Sequence, residues 1–207
     1  LIAGIRRFVI TDEIRSKGAW RFSESKKRHI VASELYREIF ERQGRSLLSG
    51  YDEILCSKKE FNAGYDYALG IDVLLTLREG GVFTLQEKFL FKDFKTVTVE
   101  YMQNPFTGEL GDWFTMKAQL YFVGYDRQHI RCAQYRTFDK EIITSQCPEC
   151  FKPFNFQDWI LLNWPAMKLE KNIPWELLSN MRDGARANFK FVPFDKIPVH
   201  CIIAISS

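Results

Sequence analysis

The chain lacks any apolar run near the roughly 18 residues that a membrane-spanning helix requires, so a membrane-spanning protein is not expected. It opens at Leu1 with no charged-then-apolar leader or small-residue cleavage site, and secretion is not indicated. Its five cysteines, Cys56, Cys132, Cys147, Cys150 and Cys201, are odd in number and scattered apart from one CxxC pair. That pattern argues against a disulfide framework and for a reducing cytoplasm. Strong charge of one sign is also missing: 29 Lys and Arg against 26 Asp and Glu leave +3, too little to mark a nucleic-acid binder by itself. There is no internal repeat and no low-complexity segment. What is present, 207 residues with 46% hydrophobic and 15% aromatic side chains, suits one compact domain.

A lead-in over residues 1–28 has no clean period and ends in the basic run Lys26, Lys27, Arg28. From Ile30 to Gln43 the apolar residues Val31, Leu35 and Ile39 recur at helical spacing, and Gly44 supplies a stop. Tyr67 to Leu77 reads as a strand closed by Gly80-Gly81, and Val82 to Phe91 as its antiparallel partner. Further strands are expected at Thr96 to Tyr101, Leu120 to Tyr125 and Ile130 to Phe138, with a short helix over Asp112 to Gln119. A helix is expected at Asp158 to Trp164, then another opened by Pro174 that carries Arg182, Arg186 and Lys190, and a last strand at Val199 to Ile205. The sum is an α/β (α+β) domain with a central mixed sheet of about four to five strands, a core over 29–126 and an extension over 127–207 packed on it.

Asp72 carries the most information, because it interrupts the apolar run Ile71-Asp72-Val73-Leu74-Leu75, where a carboxylate without a partner is costly. Alternation groups it with the small residues Ala68 and Gly70, leaving room for an ion or phosphate. A carboxylate bonded to a neighbouring loop or paired with an Arg accounts for the same pattern. On the next strand, Thr84, Gln86 and Lys88 share one face and Phe83, Leu85, Glu87 and Phe89 the other. Hairpin pairing then brings an acid, an amide oxygen and an ammonium together, a set suited to a divalent cation and a water held against a phosphodiester.

Gly70-Ile71-Asp72 followed by Gln86-Glu87-Lys88 resembles the PD-(D/E)xK nuclease core in its QxK form. The preceding helix with Glu34 is similar to that of the Holliday-junction-resolvase-like members. The stretches QEKF, TVEY and WFTMKAQLYFVGY resemble bacteriophage endonucleases of this kind. The likeness covers Ile30 to Tyr125, about half the chain, and lies more in element order than in its short motif. It implies a restriction-endonuclease-like core and a Mg²⁺- or Mn²⁺-dependent deoxyribonuclease in the host cytoplasm. Asp72 and Gln86 become metal ligands, Lys88 the catalytic lysine, and Glu34 the acid that orients a hydrated metal. Gln86 departs from the usual carboxylate, so negative charge must come from elsewhere: from Glu87 through a bulge or register shift, or from Glu100. If neither serves, a DNA-binding or assembly module that keeps the fold is the alternative.

DNA contacts are expected from Lys26, Lys27, Arg28, Lys117, Arg182 and Arg186, and a homodimer is worth testing. Cys147 and Cys150, with His129 and Cys132 upstream, have the spacing of a structural Zn²⁺ site, and a zinc-stabilised binding protein is a second alternative, but a strand would turn His129 and Cys132 to opposite faces. Trp113, Trp159 and Trp164 read as packing residues.

Overall fold

The computed structural model of the protein describes residues 31–48, 53–54, 69–90, 94–127, 155–180 and 187–206. The protein is α+β, built on a six-stranded mixed sheet and a four-stranded antiparallel sheet. The strands of the larger sheet are β1 (Glu53–Ile54), β2 (Val73–Thr76), β3 (Val82–Leu90), β6 (Leu120–Tyr125), β7 (Asp158–Asn163) and β10 (Ile202–Ile205), in that spatial order. The smaller sheet has the order β5 (Glu109–Leu110), β4 (Thr96–Asn104), β9 (Ala187–Pro193) and β8 (Glu176–Asn180). The described helices are α1 (residues 31–42), α2 (Asp112–Thr115) and α3 (Trp164–Leu169), with 3₁₀ turns at Phe194–Lys196 and Val199–Cys201.

β2 and β3 form the expected hairpin, with Val73 opposite Leu85 and Thr76 opposite Val82. Its turn places Gly80 at φ 96° and Gly81 at φ 106°, values that side-chain-bearing residues rarely adopt. β3 then runs parallel to β6, Leu85 opposite Leu120 through Leu90 opposite Tyr125. A parallel pair needs a long crossover, and here it is formed by β4, β5 and α2. Every residue of β6 is buried, because both faces of the sheet are covered.

One face packs under α1, whose Ala32, Tyr36, Ile39 and Phe40 meet Val73, Leu75, Leu85, Phe122 and Leu161. The other faces the smaller sheet, where Tyr121, Val123, Ile160 and Leu162 share a core with Val97, Val99 and Val192. Two phenols tie the layers: the Tyr121 hydroxyl donates to the Thr98 carbonyl at 2.8 Å and that of Tyr125 to the Thr96 carbonyl.

Several expectations are corrected. Asp158 to Asn163 is a strand rather than a helix; its apolar run reflects burial on both faces, which removes the alternation that marks a strand. The segment after Pro174 is β8, and Lys190 lies on β9 rather than on a helix. β2 starts only at Val73, because Gly70 turns left-handed at φ 55°. Ile71 consequently joins the inter-sheet core while Val73 and Leu75 pack under α1, so the alternation expected from Tyr67 onward breaks before β2. Val199–Cys201 is a 3₁₀ turn and the last strand is Ile202–Ile205. Among the described residues the central mixed sheet has six strands, the two-residue β1 included, and residues beyond 127 supply β7 and β10 to it. The expected strand at Ile130 to Phe138 lies outside the described residues.

Candidate functional site

The site forms where β2 and β3 face the smaller sheet. The ladder slips at Asp72: its own N–H donates to the Leu85 carbonyl at 2.9 Å, and its Oδ2 accepts the N–H of Glu87 at 2.7 Å. A carboxylate thus replaces a backbone acceptor at the end of the hairpin. Gln86 pairs with Tyr121 and Lys88 with Val123 across the parallel ladder, and partners in register share a face. Tyr121 and Val123 belong to the inter-sheet core, so Gln86 and Lys88 stand on that side. The Gln86 amide oxygen is buried with no hydrogen-bond partner, while its nitrogen makes only a long contact of 3.5 Å to the Glu87 carbonyl.

Two more acids come from the crossover. Glu100, on β4, and Asp112, at the start of α2, are adjacent because Gly111 lets the chain pass against Glu100. A Cβ on Gly111 would sit 2.6 Å from the Glu100 carbonyl oxygen and 2.8 Å from its Cγ. Burial raises the Glu100 pKa, with the charge of Asp112 adding and that of Lys88 opposing. Burial likewise raises Asp112, again opposed by Lys88. Tyr121 beneath them is held well above the ordinary phenol value by burial, with Asp112, Tyr125 and Asp72 contributing. The charges of Lys88, Glu100 and Asp112 thus bear on one another, and Asp72 and Asp112 both bear on Tyr121.

The expected residues therefore divide. Asp72, Gln86, Lys88 and Glu100 stand on one side of the sheet. Glu87 faces the other way, toward α1, where the Tyr36 hydroxyl donates to its Oε1 at 2.7 Å. Glu34 is not brought to the site: it is exposed, two residues from the buried Tyr36 and so on the far side of α1. Lys117 is exposed just before β6. Lys26, Lys27, Arg28, Arg182 and Arg186 lie outside the described residues, as do His129, Cys132, Cys147 and Cys150.

Two residues of the site escape sequence reasoning. Asp112 appears there only as the first residue of a short helix; the acid-after-glycine step Gly111-Asp112 is the signal that was present. Tyr36 is not singled out by the sequence, where Val31, Leu35 and Ile39 mark the apolar face of the helix. Trp113 has a second role beside packing on Trp164 and Trp175, because the Lys190 ammonium lies 3.9 Å from its ring centre and 4.8 Å from that of Tyr101.

Among the described residues, no three His, Cys, Asp or Glu side chains are close enough to hold a metal ion. A donor set here rests instead on one fixed carboxylate and an amide oxygen that lacks a partner. Both are hard oxygen donors of the kind magnesium accepts. Among the described residues no helix is long and apolar enough to cross a membrane. Comparison of the chain with protein-family models, with curated proteins and with solved structures finds no match.

Proposed function

We propose that the protein is a metal-dependent deoxyribonuclease of the PD-(D/E)xK type, in its QxK form. The observation that carries this is the joining of the Asp72 carboxylate to the backbone beside Gln86 and Lys88, with the amide oxygen of Gln86 buried and unpartnered. Asp72 and Gln86 would hold Mg²⁺ or Mn²⁺. Glu100 and Asp112 provide the negative charge that Gln86 withholds. When bound, the ion supplies a water of lowered pKa and a clamp on phosphoryl oxygens. Lys88 orients the attacking water and offsets charge developing on the phosphate, while the walls of the two sheets limit bulk water. Asp72, already fixed by the Glu87 N–H, brings its carboxylate to the reaction without reorganisation.

The test is cleavage of plasmid, branched and single-stranded DNA with Mg²⁺ or Mn²⁺ by the purified protein. Cutting should vanish in Asp72→Asn and Lys88→Ala; robust cutting by both variants would refute the assignment.

A second reading, a DNA-binding or assembly module that keeps a nuclease-like architecture, is favoured by the neutral Gln86 and by the lack of a three-acid group among the described residues. DNA binding with no cleavage in any divalent metal and no metal-dependent change in melting temperature selects it.

A further inference from the structure

We propose that Lys190 is a positioning residue: its ammonium, set against the rings of Trp113 and Tyr101, holds α2 to a bulge in β4 and so keeps Asp112 next to Glu100. What the two acids then do rests on the reading above.

Tyr101 is the extra residue of that bulge. Glu100 lies opposite Phe189 and Met102 opposite Asn188, so β4 advances two residues where β9 advances one. A bulge leaves one residue outside the ladder and bends the strand, so contacts other than ladder pairing must fix its direction. Three such contacts run to α2 or to its cap. The Gly111 N–H donates to the Tyr101 carbonyl at 3.1 Å, and the Tyr101 ring centre lies 5.0 Å from that of Phe114. Lys190 supplies the third, bridging Tyr101 to Trp113.

On β9, Lys190 stands opposite Val99, and partners in register share a face. Its ammonium lies 3.9 Å from the Trp113 ring centre and 4.8 Å from that of Tyr101, both inside the roughly 6 Å over which a ring face attracts a cation. Among the described residues no carboxylate pairs with it. Burial lowers its pKa, and an ammonium shielded from water gains more from a ring than a solvated one does. Trp113 is itself wedged, with Trp164 and Trp175 edge-on to it at 5.5 and 5.1 Å.

Tyr101 follows Glu100 and Trp113 follows Asp112, so a cation that draws the two rings together draws the two acids together. Gly111 permits that approach, since a Cβ there would meet Glu100 Cγ at 2.8 Å. Two carboxylates brought close repel each other, and the attraction at Lys190 offsets that cost.

The test compares Lys190→Met, which keeps the bulk of the stem and removes the charge, with Lys190→Arg, which restores a cation. Two quantities are read. One is hydrogen exchange at the Gly111 and Met116 amides, which donate to the Tyr101 and Asp112 carbonyls; the other is the Mg²⁺ concentration for half-maximal cutting of plasmid DNA. Lys190→Met should speed exchange at both amides about tenfold while the β4–β9 ladder keeps its rates, and should raise half-saturating Mg²⁺ about tenfold with kcat at saturating Mg²⁺ little changed. Lys190→Arg should restore both. Parental exchange in Lys190→Met overturns the proposal, as does a uniform rise across both sheets that Lys190→Arg does not reverse. Faster exchange at the two amides with an unchanged Mg²⁺ dependence, in a parent that cuts, overturns the link to the acids. A parent that neither cuts DNA nor melts differently with Mg²⁺ refutes the nuclease reading alone; faster exchange in Lys190→Met, reversed by Lys190→Arg, then still supports the lysine contact, and parental exchange still overturns it.

Discussion

Asp72 Oδ2 accepts the Glu87 N–H at 2.7 Å, so the acid of the candidate centre also closes the β2–β3 hairpin. The two roles separate by substitution. Asp72→Asn keeps an oxygen acceptor and should retain stability within about 1 kcal/mol, whereas Asp72→Ala strands a part-buried N–H and should cost about 1–3 kcal/mol. Urea denaturation measures the difference, and both variants should be inactive in DNA cleavage. Equal stability losses would show that the hydrogen bond contributes nothing.

Tyr36 links α1 to the opposite side of the same strand. Tyr36→Phe removes the hydroxyl that donates to Glu87 Oε1 and should destabilise by about 1–2 kcal/mol. A double-mutant cycle with Glu87→Gln should return a coupling of at least about 0.5 kcal/mol. Additive effects would indicate that the two side chains do not interact in solution.

Glu100 and Asp112 give stability a distinctive pH dependence. Their pKa values are raised on folding, so the folded state holds their protons more tightly than the unfolded chain. Their contribution is fully present below the ordinary carboxylate values and is lost as pH rises through the raised folded ones. Asp112→Asn should therefore melt higher than the parent at pH 7, with the gain shrinking toward pH 4, even though DNA cleavage falls. Thermal melts across that range check it; a gain that grows as pH falls would reverse the sign and contradict the burial of Asp112.

Gly111 is the contact that sets Asp112 beside Glu100. Gly111→Ala places a methyl within 2.6 Å of backbone, so β4 or α2 must move. The expected cost is about 1–3 kcal/mol, read from the urea midpoint, together with reduced cleavage. An alanine variant with parental stability would mean that Gly111 does not lie this close to Glu100 in solution.

The hairpin and the helix before it were legible because each has one buried face. Val31, Leu35 and Ile39 mark α1 by their spacing, and the Gly80-Gly81 turn marks where β2 meets β3. β7 was not, since Ile160, Leu161 and Leu162 are all fully buried and a strand covered on both sides carries no alternation. β8 escaped for a different reason: Pro174 is a common helix opener, and the exposed Leu177 and Leu178 mimic helical apolar residues. Asp72, Gln86 and Lys88 were found together because strand period fixes their face. Asp112 was missed because its place depends on Gly111 lying against a strand eleven residues earlier in the chain, a contact that no local period encodes.

The smaller sheet fills the crossover between β3 and β6, yet β4 pairs there with β9, Val97 opposite Val192. The order of synthesis therefore matters. When β3, β4 and β6 have left the ribosome, β4 is paired with β5 alone, and the smaller sheet has one open edge. Only after β9 emerges can that edge of β4 be paired. Such long-range pairing slows folding. In a nascent chain, completion of the smaller sheet thus waits for β9, which separates the appearance of the hairpin from the appearance of the layer that faces it.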